Sequence, residues 1–599
     1  MTPLVPPTVS WQFTGNHWLT LPCIHPLNGA VHAVGVLHRG ARAAVEFAGA
    51  REFTNGEGAG LLTPLIRVDG VERQLAEGGI AWERALAWLP TFTAKLDGLV
   101  LRGTVFAPFG RDADMAGAVY AITIENRGRA SVRLEVALDG VLGHRQQRVR
   151  TPRPYDDAHR VLAAEQGIVV MEGSALPGIV SLAIGAEGDA AVVVREGATP
   201  GFTLTCARDV AAGATVEVAF YLAAGPERDG AIATVGVLRR RGWRPLLAAT
   251  HDALRALEQT TGNERIDRLL MAHLLFAYFY AVGRALDDAH YYLVRSRAPW
   301  NGRGLTVRDW EALMWTVPAV QLADPHLGRE LLLRMCEVHG YAPGQGVHYL
   351  DGTLFEPGFL IEGVAAYPIA IDRYIRDTGD DQVVEEPLVA DALYGADDDL
   401  KARRDPQVPL YATDVTLGGE TARQPFTLHG NAAVALALDI LRRTLDEAAA
   451  KEVPDPEATR AAMRRHLVVE KGGKLVFASA TDLAGKVVTH DDPHASVFWM
   501  PMLEGATRDE SIYRRSVKGI ATVPHELVYQ CARLVGPDSA EALAWLQAAA
   551  LDQGKAAEFV DEAGAATGNG GDASLSGLLA YVLWFVMHAY GPPASQAGA

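Results

Sequence analysis

Two periods of hydrophobic residues divide the chain. Between about residues 8 and 235, apolar residues tend to alternate with polar ones, as in AVYAITIENRG, SVRLEVALDGVLG and ATVEVAFYLAAG. Gly, Asn and Asp fall at the breaks between these runs, a pattern that is typical of short β-strands joined by turns. Many such strands predict a β-sandwich domain over residues 1–235.

The pattern changes after a basic, polar stretch at residues 236–261, which predicts a linker helix. Over residues 262–599 apolar residues recur at the helical period, which predicts about eleven or twelve helices. The clearest are Ile266–Leu286, Thr306–Leu322, Leu327–His339, Gly358–Thr378, Leu428–Thr444, Ser511–Ile520, Glu541–Ala550 and Ser574–Tyr590. Several are apolar nearly all round, so some helices must be enclosed by others. We therefore expect a C-terminal (α/α)6 toroid, an all-α barrel of inner and outer helices whose inner loops form a pocket.

Two long apolar runs, Leu269–Gly283 and Gly577–Tyr590, raise the question of a membrane span. Each is shorter than about 18 residues and each contains a histidine, so both predict buried core helices. The N-terminal sequence MTPLVPPTVSWQF lacks the basic and apolar regions of a signal peptide. We therefore expect a cytoplasmic protein.

The net charge of the chain limits the classes of partner that it is expected to bind. The formal net charge of −17 over 599 residues disfavours nucleic acid and anionic membranes, because both bind a basic protein face. The chain has four cysteines, Cys23, Cys206, Cys336 and Cys531. They are far apart and form no CxxC pair, which predicts reduced, buried thiols. A homo-oligomer is compatible with this composition.

The stretch RDWEALMWTVPAVQL, from Arg308 to Leu322, is the first candidate site. Its apolar spacing is that of a helix with one buried face, formed by Trp310, Leu313, Met314 and Val317. Thr306 and Asp309 fit a capping box. That explanation leaves Arg308 unaccounted for, because an arginine at a helix N-terminus opposes the helix dipole.

Aromatic residues are dense around this stretch: Tyr291, Tyr292, Trp300, Trp310 and Trp315. Aromatic faces with an Arg–carboxylate pair are what a sugar ring needs, since the rings stack on C–H faces and the charged pair bonds hydroxyls. We therefore expect Arg308, Asp309, Trp310 and Trp300 to bind a sugar.

Three other segments carry candidate acids. Glu558 precedes a Gly-rich loop and the last core helix, where a carboxylate is placed to activate water. The long polar loop Leu410–Asn431 carries Asp414, Glu420 and His429. The segment GVHYLDGTLFEPGFLIEG ends on Glu362, at the start of an apolar helix, where it either faces the pocket or bonds neighbouring backbone.

Motifs for other chemistries are missing from the sequence. There is no HExxH, no Cys/His pair at zinc spacing, no EF-hand loop, no P-loop and no GxSxG elbow. The segment HDDPH (His490–His494) looks like a ligand set, but we expect it to cap a turn before SVFWMPML. No metal or cofactor is expected.

The order of these features resembles the glucoamylase-type glycoside hydrolases, including glycogen debranching enzymes and metal-independent exo-mannosidases. The segment VRDW is similar to their early Trp/Arg/Asp motif, and AEFVD…TGNGGDASLSGLLAYVLW is similar to their late base motif. The resemblance implies that Arg308 and Asp309 hold hydroxyls of the −1 sugar and that Glu558 is the catalytic base. The Gln that follows this base in the family is Phe559 here, and the acid motif is not intact.

By order along the chain, the resemblance places the general acid in the Leu410–Asn431 loop, on Asp414 in preference to Glu420. Inverting hydrolysis uses two carboxyl groups about 6.5–9.5 Å apart, one protonated and one that activates water. The first hypothesis is therefore an inverting, exo-acting glycoside hydrolase that acts on an oligosaccharide or glycoside and releases a monosaccharide, with glucose favoured by the resemblance. The alternatives are an inverting sugar phosphorylase of similar architecture and a catalytically inactive carbohydrate-binding protein.

Overall fold

The computed structural model describes residues 9–175, 177–520, 526–537, 539–549, 551–560, 566–567 and 570–591. The chain divides into two compact units. The sheet-rich unit comprises Met1–Glu258, Val282–Tyr292 and Ser296–Leu305. The helical unit comprises Gln259–Ala281, Leu293–Arg295 and Thr306–Ala599. The predicted order, sheets first and helices second, is confirmed.

The sheet-rich unit is built from antiparallel strands in two sheets. The strands are β1 Gln12–Gly15, β2 Leu19–Ile24, β3 Val31–His38, β4 Ala43–Ala48, β5 Leu62–Val68, β6 Val71–Arg73, β7 Ala81–Ala85, β8 Leu89–Leu96, β9 Leu99–Phe106, β10 Gly117–Asn126, β11 Val132–Val141, β12 His144–Arg148, β13 Pro152–Pro154, β14 Arg160–Ala164, β15 Ile168–Glu172, β16 Ser181–Ala186, β17 Ala191–Arg195, β18 Gly201–Val210 and β19 Thr215–Gly225. One sheet has 11 strands, with the main order β13-β12-β4-β3-β5-β11-β18-β17, and the other has the order β14-β15-β16-β19-β10-β9-β8-β7.

Both sheets contribute to one hydrophobic core. Phe47 and Leu138 of the 11-stranded sheet belong to the same buried cluster as Ile122 and Phe220 of the other sheet. Each sheet therefore buries one face against a shared core, which is the principle of a sandwich. Successive side chains of a strand point to opposite faces of the sheet. Burial of one face therefore produces the alternation of apolar and polar residues from which the sandwich was predicted.

Two helices, α1 Arg228–Arg241 and α2 Trp243–Ala256, follow the last long strand. The prediction of one linker helix over residues 236–261 differs from this. Gly242, at φ 76°, separates the two helices, and α1 packs against β16 and β19. Positive φ is cheap for glycine, so this residue permits the break.

The helical unit contains α3 Glu264–Tyr280, α4 Asp309–Glu311, a π turn Ala312–Thr316, α5 Val317–Ala323, α6 Pro325–Val338, α7 Ile361–Thr378, α8 Pro387–Arg403, α9 Leu428–Thr444, α10 Glu447–Glu452, α11 Pro456–His466, α12 Ser511–Lys518, α13 Leu527–Val535, α14 Ser539–Ala548 and α15 Ala573–Tyr590. Short strands lie between the helices along the chain. The strand β20 Val282–Arg284 and the first two residues of β21 Tyr291–Leu293 belong to the sheet-rich unit. The others belong to the helical unit: β22 Gly346–His348, β23 Leu354–Pro357, β24 Phe426–Thr427, β25 Val468–Lys471, β26 Lys474–Phe477, β27 Ala480–Thr481, β28 Val487–Val488, β29 Phe559–Val560 and β30 Ala566–Thr567.

The helix α15 is the center of this packing. It contacts α3, α5, α13 and the π turn. It is long and apolar enough by composition to cross a membrane, and 67% of it is buried inside the protein. Its burial against four other elements is what the sequence predicts for a core helix. The four cysteines are free and buried, which confirms their prediction.

Candidate active site

Asp309 is the first residue of α4, and it does not form the predicted capping box. The N-cap position belongs to Arg308, not to Thr306, and has no side-chain cap. The carboxylate of Asp309 instead accepts the Gly344 N–H at 2.8 Å and the Tyr367 hydroxyl at 2.9 Å. The Tyr367 donor ties α4 to α7, and the Gly344 donor ties it to the loop that follows α6. Burial raises the pKa of Asp309 from its ordinary 3.8 to about 7, against the lowering effect of both hydrogen bonds.

Arg308 reaches the loop Leu410–Asn431. Its Nη1 donates to the Leu417 carbonyl at 3.1 Å. A β-carbon on Gly419, which has φ 91°, would overlap the guanidinium of Arg308. The glycine therefore serves a close approach as well as a backbone conformation that other residues rarely adopt. The loop packs closely on the arginine that the sequence predicts for sugar binding.

The two acids predicted as proton donors lie on the outside of this loop. Asp414 pairs with Arg403 at 3.3 Å, and its side chain is 57% exposed. Glu420 is also exposed. The backbone N–H of Asp414 donates to the Phe359 carbonyl at 2.9 Å, so the loop is held near the start of α7.

Glu362, His429 and Trp310 come together at three helix starts. Glu362 is the second residue of α7, and its Oε1 lies 3.2 Å from Nδ1 of His429, the second residue of α9. The His429 ring meets the edge of Trp310 on α4, with centroids 5.2 Å apart at 74°. Glu362 and His429 are both 2% exposed. Among the described residues, Oε2 of Glu362 has no hydrogen-bond partner.

Glu558, the acid predicted from the late motif, is also buried, at 8% exposed. Its carbonyl accepts the Leu527 N–H at 3.1 Å, which fixes the segment to the start of α13. Its Oε1 lies 3.7 Å from Nε2 of His494. The His494 ring is nearly parallel to Trp315, with centroids 6.4 Å apart at 21°. Phe559, which stands where the family has Gln, is 40% exposed.

Glu526 was missed by the sequence analysis. It is the N-cap residue of α13, is 8% exposed, and forms a backbone bridge with Phe559. Burial raises the pKa of Glu526, the charge of His494 lowers it, and the negative charge of Glu558 raises it again. Two carboxylates and one histidine therefore share this part of the site. The sequence gives no signal for Glu526, which precedes a short helix.

A buried charge cluster supports this arrangement and was also missed. Arg295 contacts Asp572 at 2.7 Å and forms a second ion pair with Glu311. All three side chains are buried, at 2%, 0% and 7% exposed. The Arg295 guanidinium lies 4.9 Å from the ring center of Trp315. Asp572 also accepts the Leu575 N–H at 3.0 Å as the N-cap of α15.

The remaining predicted residues have different roles or locations. Trp300 is buried but belongs to the sheet-rich unit, in the segment Ser296–Leu305. In the HDDPH segment, Asp491 accepts the Ser496 hydroxyl at 2.6 Å and the Val497 N–H at 3.0 Å. This is the turn-capping role predicted for the segment. Within the motif AEFVD…TGNGGD, residues 561–565 and 568–569 lie outside the described residues.

Two tryptophans of one helical segment, α4 and the π turn, therefore lie beside the histidines that pair with Glu362 and Glu558. Trp310 contacts His429, which lies against Glu362. Trp315 stacks with His494, which lies near Glu558. Trp310 precedes the π turn Ala312–Thr316, and Trp315 lies within it. Single π turns inside α-helices are frequent at functional sites, because they rotate side chains relative to a regular helix. Such a pair of carboxyl groups can perform acid–base chemistry.

Comparison with known proteins shows a shared fold. No family model matches the chain, and no curated protein matches it in sequence. Solved structures with the same fold include a bacterial glucoamylase complexed with acarbose, at TM-score 0.60 and 11% identity, covering 97% of this chain and 95% of that one. A putative kojibiose phosphorylase from the human microbiome has TM-score 0.59 and 9% identity, with 96% and 86% covered. The resemblance to glucoamylase-type enzymes is confirmed at the level of fold.

Proposed function

We propose that the protein is an inverting, exo-acting glycoside hydrolase that releases a monosaccharide, with glucose as the first sugar to test. The observation that carries the proposal is the pair of buried carboxyl groups, Glu362 and Glu558, each of which lies beside a histidine. The fold shared with a glucoamylase and a putative kojibiose phosphorylase supports a carbohydrate substrate. We also propose that the helices of the second unit close into the (α/α)6 toroid.

Glu558 is proposed as the base. It removes a proton from a water molecule, which attacks the anomeric carbon on the face opposite to the departing oxygen. His494 Nε2 lies 3.7 Å from Oε1 of this carboxylate. The ring of Trp315 is nearly parallel to that of the histidine.

Glu362 is proposed as the acid, in place of the expected Asp414 or Glu420. A proton donor must be held in one geometry and shielded from bulk water. Glu362 meets both conditions, because His429 fixes Oε1 while Oε2 has no partner among the described residues. Asp414 and Glu420 are exposed, so water competes for any proton that they carry.

Arg308, Asp309 and Trp310 are proposed to bind the −1 sugar. The Trp310 ring contacts His429, and His429 contacts Glu362, so a single side chain separates Trp310 from the proposed acid. The Nη1 of Arg308 donates to the Leu417 carbonyl, and the planar fork of a guanidinium is a geometry that suits sugar hydroxyls. Acid–base hydrolysis of this kind uses no cofactor.

The test is turnover of gluco-, manno- and rhamno-disaccharides, with and without phosphate, by the protein and four variants. Glu558→Gln and Glu362→Gln should each lose about 10²–10⁴ in kcat, the usual share of general acid–base catalysis. Asp414→Asn and Glu420→Gln should stay close to the wild type. If Asp414→Asn is inactive and Glu362→Gln is active, the general acid is Asp414, in the loop Leu410–Asn431, and not Glu362. Activity that requires phosphate would make the protein a phosphorylase.

A further inference from the structure

A cleft of about 560 Å³ lies in the helical unit beside the proposed site. It is lined by the hairpin β25–β26, the start of α9, residues 489–497 and the end of α12. Its volume lies within the range of small-molecule sites. Four basic side chains line it: Lys471, Lys474, Arg515 and Lys518. The acidic residue in the lining is Asp491, whose oxygens already accept from Ser496 and Val497.

These four basic side chains form no ion pair within the part of the chain that the structure describes. Among the described residues, no carboxylate lies within ion-pair distance of Lys471, Lys474, Arg515 or Lys518, and the Arg515 guanidinium donates to Ser511 alone. A second cleft of about 800 Å³ in the same unit shows the contrast. Three of its four lining arginines form ion pairs, Arg460 with Asp439, Arg464 with Glu510 and Arg514 with Asp509, and the fourth, Arg508, donates to the Gly536 carbonyl. In a chain of net charge −17, acidic partners are abundant, so an unpaired basic cleft is informative.

The hairpin β25–β26 places two of these basic residues next to each other. Lys471 and Lys474 are directly opposite in the β25–β26 register. The two residues between them, Gly472 and Gly473, have φ 59° and 74°, the signs of a type I′ hairpin turn. Like charges directly opposite on a hairpin are destabilising. The helix dipole favours a cation near the C-terminus of α12, which explains the position of Lys518. It does not explain the two lysines of the hairpin.

The cleft adjoins the proposed active site along the chain. Leu428 in its lining precedes His429, the partner of Glu362. Pro493 and Ala495 in its lining flank His494, which lies against Glu558. The lining also has apolar surfaces, including Phe477 and Tyr529. Cations beside aromatic and aliphatic faces match a ligand with an anionic group on a sugar ring.

We propose that this cleft binds the negatively charged group of an acidic saccharide, a carboxylate or a phosphate or sulfate ester. The inference rests on the proposed function, since it names the class of carbohydrate that the same site receives. The sugar to be cleaved lies at Glu362 and Glu558, and the acidic group lies on a neighbouring part of the ligand. The charged group contributes affinity and selectivity, and takes no part in bond cleavage.

The test is calorimetric titration of the full chain with glucose 6-phosphate, glucuronate, glucose and inorganic phosphate at low and high salt. At least one acidic sugar should bind more tightly than glucose and more tightly than inorganic phosphate, and salt should weaken that binding. The variant Lys471→Gln/Lys474→Gln should weaken it by at least ~10-fold, because hydrogen bonds to charged groups are strong. Both lysines are exposed, so the variant is expected to fold, which circular dichroism checks.

The matched control is Arg268→Gln/Lys451→Gln, which removes the same charge from exposed ion pairs on α3 and α10. It should bind the acidic sugar like the wild type. Equal binding by the hairpin variant, a preference for glucose, or inorganic phosphate binding as tightly as the sugars would overturn the proposal. Glu558→Gln should retain acidic-sugar binding. Failure of the turnover test with intact binding would therefore refute the hydrolase assignment and leave the cleft standing.

Discussion

Asp572 performs two tasks that can be separated by substitution. Its carboxylate caps α15 through the Leu575 N–H, and it neutralises Arg295 in the buried cluster. Loss of an N-cap costs about 1 kcal/mol. Removal of one partner from a buried ion pair costs about 3–5 kcal/mol, since the other charge stays buried. Because Glu311 remains beside Arg295, the low end applies, and Asp572→Ala should cost about 4 kcal/mol in total.

The assay is hydrogen exchange of α15 peptides by mass spectrometry, which reports the free energy of opening without assuming that both units unfold together. Asp572→Asn keeps the cap acceptor and loses the charge, so it should cost about 3 kcal/mol. The control is Asn263→Ala, which removes an exposed cap from α3 without a buried charge and should cost about 1 kcal/mol. An Asp572→Ala effect no larger than that of Asn263→Ala would refute the assigned role of the cluster.

Three further predictions follow from other contacts. Because the folded pKa of Asp309 is about 7 and its ordinary value 3.8, the folded state keeps a proton that the unfolded state has released. Stability should fall by roughly 3 kcal/mol as pH rises from 4 to 7, and urea titrations should show a shallower fall for Asp309→Asn. Gly419→Ala should raise the KM several-fold by displacing Arg308, whereas Gly485→Ala, with φ 107° and open space around it, should leave KM unchanged. The four buried cysteines should resist Ellman's reagent in the native protein and all react in urea.

Local signals in the sequence were enough for several elements. The helix α9 has the predicted bounds, because Thr427 caps it by accepting the Gly430 N–H and its apolar residues keep one period to the end. The helix α3 ends at Tyr280, before the predicted end at Leu286, because the apolar run continues into β20. Hydrophobic character alone does not distinguish a buried helix from the strand that follows it.

The site depends on contacts that the sequence does not reveal. Asp309 receives its hydrogen bonds from residues 35 and 58 positions away, so a local capping pattern could not identify its partners. Arg295 and Asp572 are 277 positions apart. Glu362 is a candidate pocket residue in the sequence, but its burial, and the exposure of Asp414, depend on how the loop Leu410–Asn431 packs. The roles assigned to both residues remain predictions.

The central claim is that two carboxyl groups act from opposite faces of the sugar, and the stereochemistry of the product tests it most directly. Time-resolved proton NMR of wild-type digests identifies the first anomer released, before mutarotation mixes the two forms. The proposal predicts a sugar whose anomeric configuration is opposite to that of the bond cleaved, formed without phosphate. A product of retained configuration, or no product from any disaccharide unless phosphate is added, would contradict it.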